Sequence, residues 1–170
     1  MDPLVIIPKR TSRRSYKGTP ISAKHVELIK DALRRNNVGV LGNKIKFQLL
    51  TRKGLTNRRV KLGTYGFIQG AQNFIVGEVA PGKEACLDYG FCLETVILEL
   101  TEAGLGTCWL GGTFDRGEFS KAINLAEGNV IPAISPVGYA TTSRGIGDRI
   151  IRAGAGSKKR KGWDELFFDA

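Results

Sequence analysis

Residues 87–103 constrain this chain more than any other stretch. Leu87, Phe91 and Leu98 fall close to helical spacing, but Cys92, Val96, Glu99 and Ala103 align as well. A helix that is apolar around most of its circumference is buried on most sides. The stretch therefore reads as a central core helix, and the rest of the chain must supply the layers that cover it. Gly104 and Gly106 stop it, because glycine readily takes the left-handed conformation after a helix. The same region excludes a membrane span: Phe91 to Leu105 contains Glu94, Glu99 and Glu102, too short and too charged to cross a bilayer. The N-terminus, MDPLVIIPKR, has no apolar run long enough for a signal peptide. The expected location is the cytoplasm, without a membrane partner.

The covering elements follow from local signals. Ser22 is a plausible N-cap, and Val26, Ile29, Ala32 and Leu33 space an amphipathic helix over 23–36. Residues 45–51 and 73–80 are rich in β-branched and aromatic side chains and read as strands. The segment 53–66 is polar and glycine-containing and reads as loop, or loop with a short helix. Thr107 to Leu110 is a short apolar strand, broken by Gly111-Gly112. Asp115 can cap a helix over 116–124 with Phe119, Ala122 and Ile123 inward. Pro132 and Pro136 mark 130–140 as an edge strand or one that starts and stops around the prolines. Residues 1–20 open extended, 145–153 suggest a short helix, and 163–168 a helical turn or terminal strand. No repeat or linker interrupts the 170 residues, so the expectation is one domain over 1–170 with mixed layers around one sheet.

Charge and residue inventory narrow the chemistry. The net charge is +10, concentrated over Lys9 to Lys17, Arg52 to Lys61 and Lys158 to Lys161. Basic clusters at opposite ends of one domain could converge on a phosphate-bearing ligand or form a nucleic-acid patch, and composition does not choose. In an extended segment Arg10, Ser12 and Arg14 project from one face, and guanidiniums offer forked donors that suit a phosphate. Gly104, Gly106, Gly111 and Gly112 flank a short apolar strand, where a flat ligand can approach the backbone. Their spacing matches neither a dinucleotide fingerprint nor a Walker loop. The run Ser157 to Lys161 precedes Trp163, Leu166, Phe167 and Phe168, which should anchor it. Cys86, Cys92 and Cys108 form no CxxC pair and His25 is the single histidine. No metal site is expected, the thiols are read as buried and reduced, and His25 as exposed. No recognisable acid–base set exists, so a catalytic side chain is unknown, which fits chemistry carried by a bound cofactor.

These three constellations together resemble the nitroreductase superfamily over nearly the whole chain. Arg10-x-Ser12-x-Arg14, with Tyr16 and Pro20, is similar to its N-terminal phosphate-binding motif. Asp88 to Gly112, ending in GLGTCWLGG, looks like its core helix and flavin-contacting strand, and Pro136 to Tyr139 like the strand that follows. Lys158, Arg160 and the following WDELF resemble its terminal basic motif. The resemblance implies an α+β sandwich: a central mixed, mainly antiparallel sheet flanked by helices. It implies FMN at an interface between two halves, with NAD(P)H as reductant and a nitroaromatic, quinone or enone-type small molecule as acceptor. Arg10, Ser12 and Arg14 would hold the FMN phosphate with Lys158 and Arg160, Arg13 being a neighbour. Leu110, Gly111 and Gly112 would lie against the isoalloxazine ring. In one place the chain departs from the pattern. Members carry A-P-S-x-x-N-x-Q-P-W after the first helix; here Val38 to Phe47 keeps only Gly42-Asn43 and the aromatic Phe47. A longer subgroup carries that motif in a second half, so the chain is expected to be a fragment of such a protein or a homodimer. The alternatives carried forward are a flavin-fold remnant and a non-catalytic basic module; nucleic acid is not the expected partner.

Overall fold

The computed structural model describes residues 2–52, 64, 66–142 and 162–166, apart from the side chains of Trp163 and Leu166. Two terminal pieces are helical: α1 (Pro3–Ile6), followed by a 3₁₀ turn over Ile7–Lys9, and α5 (Trp163–Leu166). The N-terminus is thus not extended from its first residue. Asp2 caps α1 by accepting the Leu4 N–H at 3.0 Å, and Pro3 takes the first helical position, where its missing N–H costs nothing. The extended arm begins at Arg10, whose backbone has φ −65° and ψ 126°.

Helix α2 (Ala23–Arg35) begins where Ser22 accepts the His25 N–H at 3.3 Å. Strand β1 (Lys46–Thr51) and β2 (Asn73–Glu78) follow, then the long helix α3 (Lys83–Glu102), which starts four residues earlier than 87–103 suggests. Gly82, at φ 134°, turns the chain into it, and Glu84 in the first turn suits the positive end of the helix dipole. Helix α3 buries Tyr89, Cys92, Leu93, Val96, Ile97 and Leu100, as a core helix should. Its coverage is incomplete, however, because Leu87 and Phe91 are 57% and 53% exposed. Strand β3 (Gly106–Thr107), helix α4 (Arg116–Ile123) and strand β4 (Ile134–Gly138) complete the layers. Asp115 caps α4 by accepting the Glu118 N–H at 3.1 Å.

The four strands form one antiparallel sheet in the order β1-β2-β4-β3. Alternation along β2 builds two cores. Ile75 joins a cluster with Ile29 and Leu33 of α2 and Leu93 and Ile97 of α3. Phe74 and Val76 join the other, with Phe119 and Ile123 of α4 and with Leu110 and Ile134. The sheet is buried on both faces here, which is why residues 74–77 are apolar without a polar alternation. This is the α+β sandwich that the sequence implies.

Residues 130–140 do not form an edge. Strand β4 lies between β2 and β3, with Pro136 opposite Phe74. Ile134 and Leu110 exchange both backbone bonds at 3.0 Å, so Ile134 aims its amide toward the β3 side. Two residues on, Pro136 aims at that same side, and there the ladder is interrupted. Cys108, in register with Pro136, instead donates its N–H to Ser135 Oγ at 3.2 Å. The Ser135 hydroxyl bridges the gap, accepting from Cys108 and donating to the Pro136 carbonyl at 3.0 Å. Among the described residues no helix is long and apolar enough to cross a membrane.

Candidate functional site

The arm that follows Arg10 has no strand of its own, yet its backbone is clamped from several sides. Ser12 forms a parallel bridge with Thr107 of β3, and Arg13 donates its N–H to the Thr107 carbonyl at 2.8 Å. Gln69 donates to the Arg14 carbonyl and Tyr16 to the Gln69 carbonyl, both at 2.9 Å. Lys17 donates to the Tyr139 carbonyl at 2.9 Å and Thr141 to that of Ser15 at 3.0 Å. Tyr16 is buried and donates its hydroxyl to the Arg13 carbonyl at 2.8 Å. Burial, and then the neighbouring Cys108, push this phenol well above its usual pKa, so it acts as a fixed donor. The first two constellations of the sequence, the basic arm and the glycine-flanked strand, are therefore side by side.

Side chains leave this arm in two directions. Arg10 heads for α3, where its Nε lies 3.4 Å from Glu94 Oε1. The other Glu94 oxygen accepts the Trp109 indole N–H at 2.5 Å. One carboxylate thus ties arm, long helix and glycine-flanked strand together. Arg10 Nε is buried and has no hydrogen-bond partner among the described residues. Arg13 goes elsewhere: its Cβ and Cγ pack so closely on Gly106 that a Cβ there would come within 3.1 Å of both, and within 2.9 Å of Ala140 Cβ. On that side lies a cavity of about 510 Å³, with Lys9, Arg13 and Lys17 in its wall.

The glycine end of the strand is built in two layers. Leu110 has its side chain in the core, only 3% exposed, and its amide is engaged by Ile134. Any contact with a ring by Leu110 would be through its surroundings, whereas Gly111 and Gly112 are exposed and a Cβ at either would meet nothing within 4 Å. Arg116 buttresses this end: its guanidinium donates to the Gly111 carbonyl at 2.7 Å and lies 4.9 Å from the Phe114 ring centroid. Nothing in the sequence flags Arg116, because the carbonyls it holds come from two other segments. Lys158 and Arg160 lie outside the described residues, as do the segments 53–63 and 143–161.

Two further groups escaped the sequence reading. His25 is half-buried rather than exposed: its Nδ1 is 2.9 Å from the Tyr139 hydroxyl, which also accepts the Ser22 N–H at 3.2 Å. Hydrogen bonding from Ser22 pulls the Tyr139 phenol below its ordinary pKa. Asp88 is fully buried and accepts the Leu41 and Asn43 N–H groups and the Asn43 side-chain amide at 2.8–2.9 Å. Burial raises its pKa, but these bonds to the charged form outweigh it and hold the carboxyl below its ordinary range. Asp88 thus anchors the 38–44 loop, which is where the chain departs from the expected motif. A Cβ on Gly39 would fall 2.0 Å from Asp88 Cγ, so the anchor also requires glycine there. Cys92 and Cys108 are buried, but Cys86 is exposed, one face away from the core on α3. Among the described residues no three or more His, Cys, Asp or Glu group to hold a metal.

Residues 4–169 match the model of the family described as Putative TM nitroreductase. The chain belongs to this family. Solved structures of similar fold bear the same stamp. A nitroreductase family protein from Clostridium difficile is 16% identical, with 99% of this chain and 98% of that chain covered and a TM-score of 0.68. A nitroreductase with bound FMN from Desulfitobacterium hafniense is 21% identical, covers 85% of this chain and 92% of its own, and gives a TM-score of 0.68. An oxidoreductase containing FMN gives 0.72 at 16% identity, over 99% of this chain and 91% of that chain. No curated protein matches the sequence. At these identities the solved structures speak for the fold, and the family match covers the arm, the glycine-flanked strand and the long helix of the nitroreductase pattern.

Proposed function

We infer that this nitroreductase-family chain is an FMN-dependent oxidoreductase that passes hydride from NAD(P)H to a nitroaromatic, quinone or enone-type acceptor. The observation that carries the reading is the pairing of Ser12 with Thr107, which sets the Arg10–Arg14 arm against the glycine-flanked strand. The residues fit the flavin. Arg10 Nε is a buried donor without a hydrogen-bond partner among the described residues, beside the motif that the family uses for the phosphate. Glu94 balances its charge at 3.4 Å without forming a hydrogen bond to it, so a donor remains for a ligand to complete. Ser12 and Arg14 share its face of the arm by alternation. A ring placed at the other end would take its backbone donor from Gly111 or Gly112, since the Leu110 amide is already engaged. FMN, when bound, supplies the hydride chemistry; the protein holds its anionic end, presents a side-chain-free wall, and fixes that wall through Arg116. Lys158 and Arg160 are proposed as further phosphate ligands.

The site is proposed to be completed by a second copy of the chain. Leu87 and Phe91 lie one turn apart on α3, and Val40 and Leu41 are exposed on the loop that Asp88 holds against the same helix. Exposed apolar side chains gathered in this way suit a subunit interface. The location proposed is the cytoplasm.

The test is the absorption spectrum of the purified chain with and without added FMN. A flavin spectrum, and a melting temperature that rises with FMN concentration, are expected. Arg14→Ala should weaken FMN binding by about tenfold or more, the scale of a lost charge-assisted contact, with the far-UV spectrum unchanged. A protein that stays colourless at saturating FMN removes the reading.

A further inference from the structure

The arm has a second side that the flavin reading does not use. None of Arg10, Ser12 or Arg14 lines the cavity of about 510 Å³; the arm residues in its wall are Lys9, Thr11, Arg13 and Lys17. No aspartate or glutamate lines it among the described residues. The rest of the wall is of two kinds. Thr101, Thr141 and Thr142 bring hydroxyls, whereas Leu105, Tyr139 and Ala140 bring apolar and aromatic surface. One wall is held by hydrogen bonds: Lys17 and Tyr139 are joined backbone to backbone, as are Ser15 and Thr141, and the Tyr139 hydroxyl is held by Ser22 and His25.

We propose that this cavity is a second ligand site, for a small organic phosphate of nucleotide size, separate from the flavin site and on the opposite side of the same arm. Three cations without a lining carboxylate among the described residues raise the local positive potential on one concave surface. Arg13 and Lys17 are four residues apart in an extended segment, roughly 13 Å along the backbone. Their charged ends can share one elongated polyanion better than a single phosphate. The volume is that of ordinary small-molecule sites, which take about 300–1,000 Å³. The apolar side of the wall gives the organic part of the ligand a surface that a bare phosphate would leave empty. The packing of Arg13 on Gly106 limits how far that stem can swing, so part of its ordering is complete before a ligand arrives.

The experiment is calorimetric titration of the full chain, with FMN present at saturation and without it, using ADP, inorganic pyrophosphate and adenosine as probes. ADP is expected to bind in both conditions, to weaken as salt rises, and to be displaced by pyrophosphate; adenosine should bind far less. Lys9→Gln with Lys17→Gln should lower ADP affinity by about tenfold or more and leave FMN affinity unchanged, whereas Arg10→Gln should do the reverse. Arg13→Gln is a second variant, with the far-UV spectrum as the check on folding. Displacement of ADP by FMN would overturn the proposal, since the cavity would then belong to the flavin site. Absence of ADP binding, indifference to the lysine changes, or failure of pyrophosphate to compete would overturn it as well. A chain that binds ADP in this pattern and never binds FMN would retain this site and lose the flavin reading.

Discussion

Single residues hold this nitroreductase-family chain together at points where backbone groups meet inside the core. Tyr89 is the clearest. Its hydroxyl donates to the Ala133 carbonyl at 2.5 Å and accepts the Gly77 N–H at 3.2 Å, joining α3 to both β2 and the entry of β4. Burial pushes the phenol far above its usual pKa, so it stays a neutral donor throughout the working range. Tyr89→Phe leaves two backbone groups unmatched in the core and should cost about 1–3 kcal/mol in urea unfolding. An unchanged midpoint would show that the hydroxyl is replaceable there. The same reasoning separates what could be read from what could not. That Ser22 and Asp115 cap helices follows from their own local sequence. That His25 meets Tyr139 does not, because the partners are 114 residues apart and no spacing encodes the pair.

At the level of elements, the strongest local signal misled in one place. Proline argued against an interior strand, yet Pro136 sits within the central β4. The rule was right about the missing amide and wrong about its consequence: the strand stays interior, and the Ser135 hydroxyl links Cys108 N–H to the Pro136 carbonyl where the ladder breaks. Ser135→Ala should therefore destabilise by about 1 kcal/mol, and amide exchange should accelerate at Cys108 more than along β2. Gly77 makes a complementary point. A Cβ there would lie 2.6 Å from the Phe47 ring and 2.8 Å from that of Tyr89. Gly77→Ala is expected to cost about 1–3 kcal/mol by overpacking, read as a lowered melting temperature. The start of α3, four residues ahead of expectation, has a plain cause: Gly82 can take the entry conformation, but residues 83–86 show no apolar periodicity of their own.

For the whole molecule, acid should be the weak direction. Asp88 and Glu78 are buried, and in both desolvation is outweighed by bonds to the charged form: from Leu41 and Asn43 for Asp88, and from Lys46, Ala126 and Asn129 for Glu78. Both folded-state pKa values are therefore depressed below their unfolded ones. Their stabilisation is full above the unfolded carboxylate values, roughly 4, and is lost as pH falls through the depressed folded values. Melting temperature should be level from neutral pH to about 5 and then fall, and Asp88→Asn should flatten part of that fall. A curve equally steep in that variant would assign the acid sensitivity elsewhere. Mass in solution tests the proposed assembly: about twice the 18.5 kDa of one chain is expected, with Leu87→Glu shifting it toward the single-chain value. By itself the sequence determined what depends on neighbours along the chain: the caps, the buried helix, the strands of β-branched residues, and the three constellations that point to a flavin. Only the tertiary structure decided which of those constellations meet, that Arg10 and Arg13 leave the arm toward different surroundings, and that an interior proline is tolerated. These depend on which backbone and side-chain groups become neighbours across long sequence separations, and a one-dimensional pattern carries no term for that.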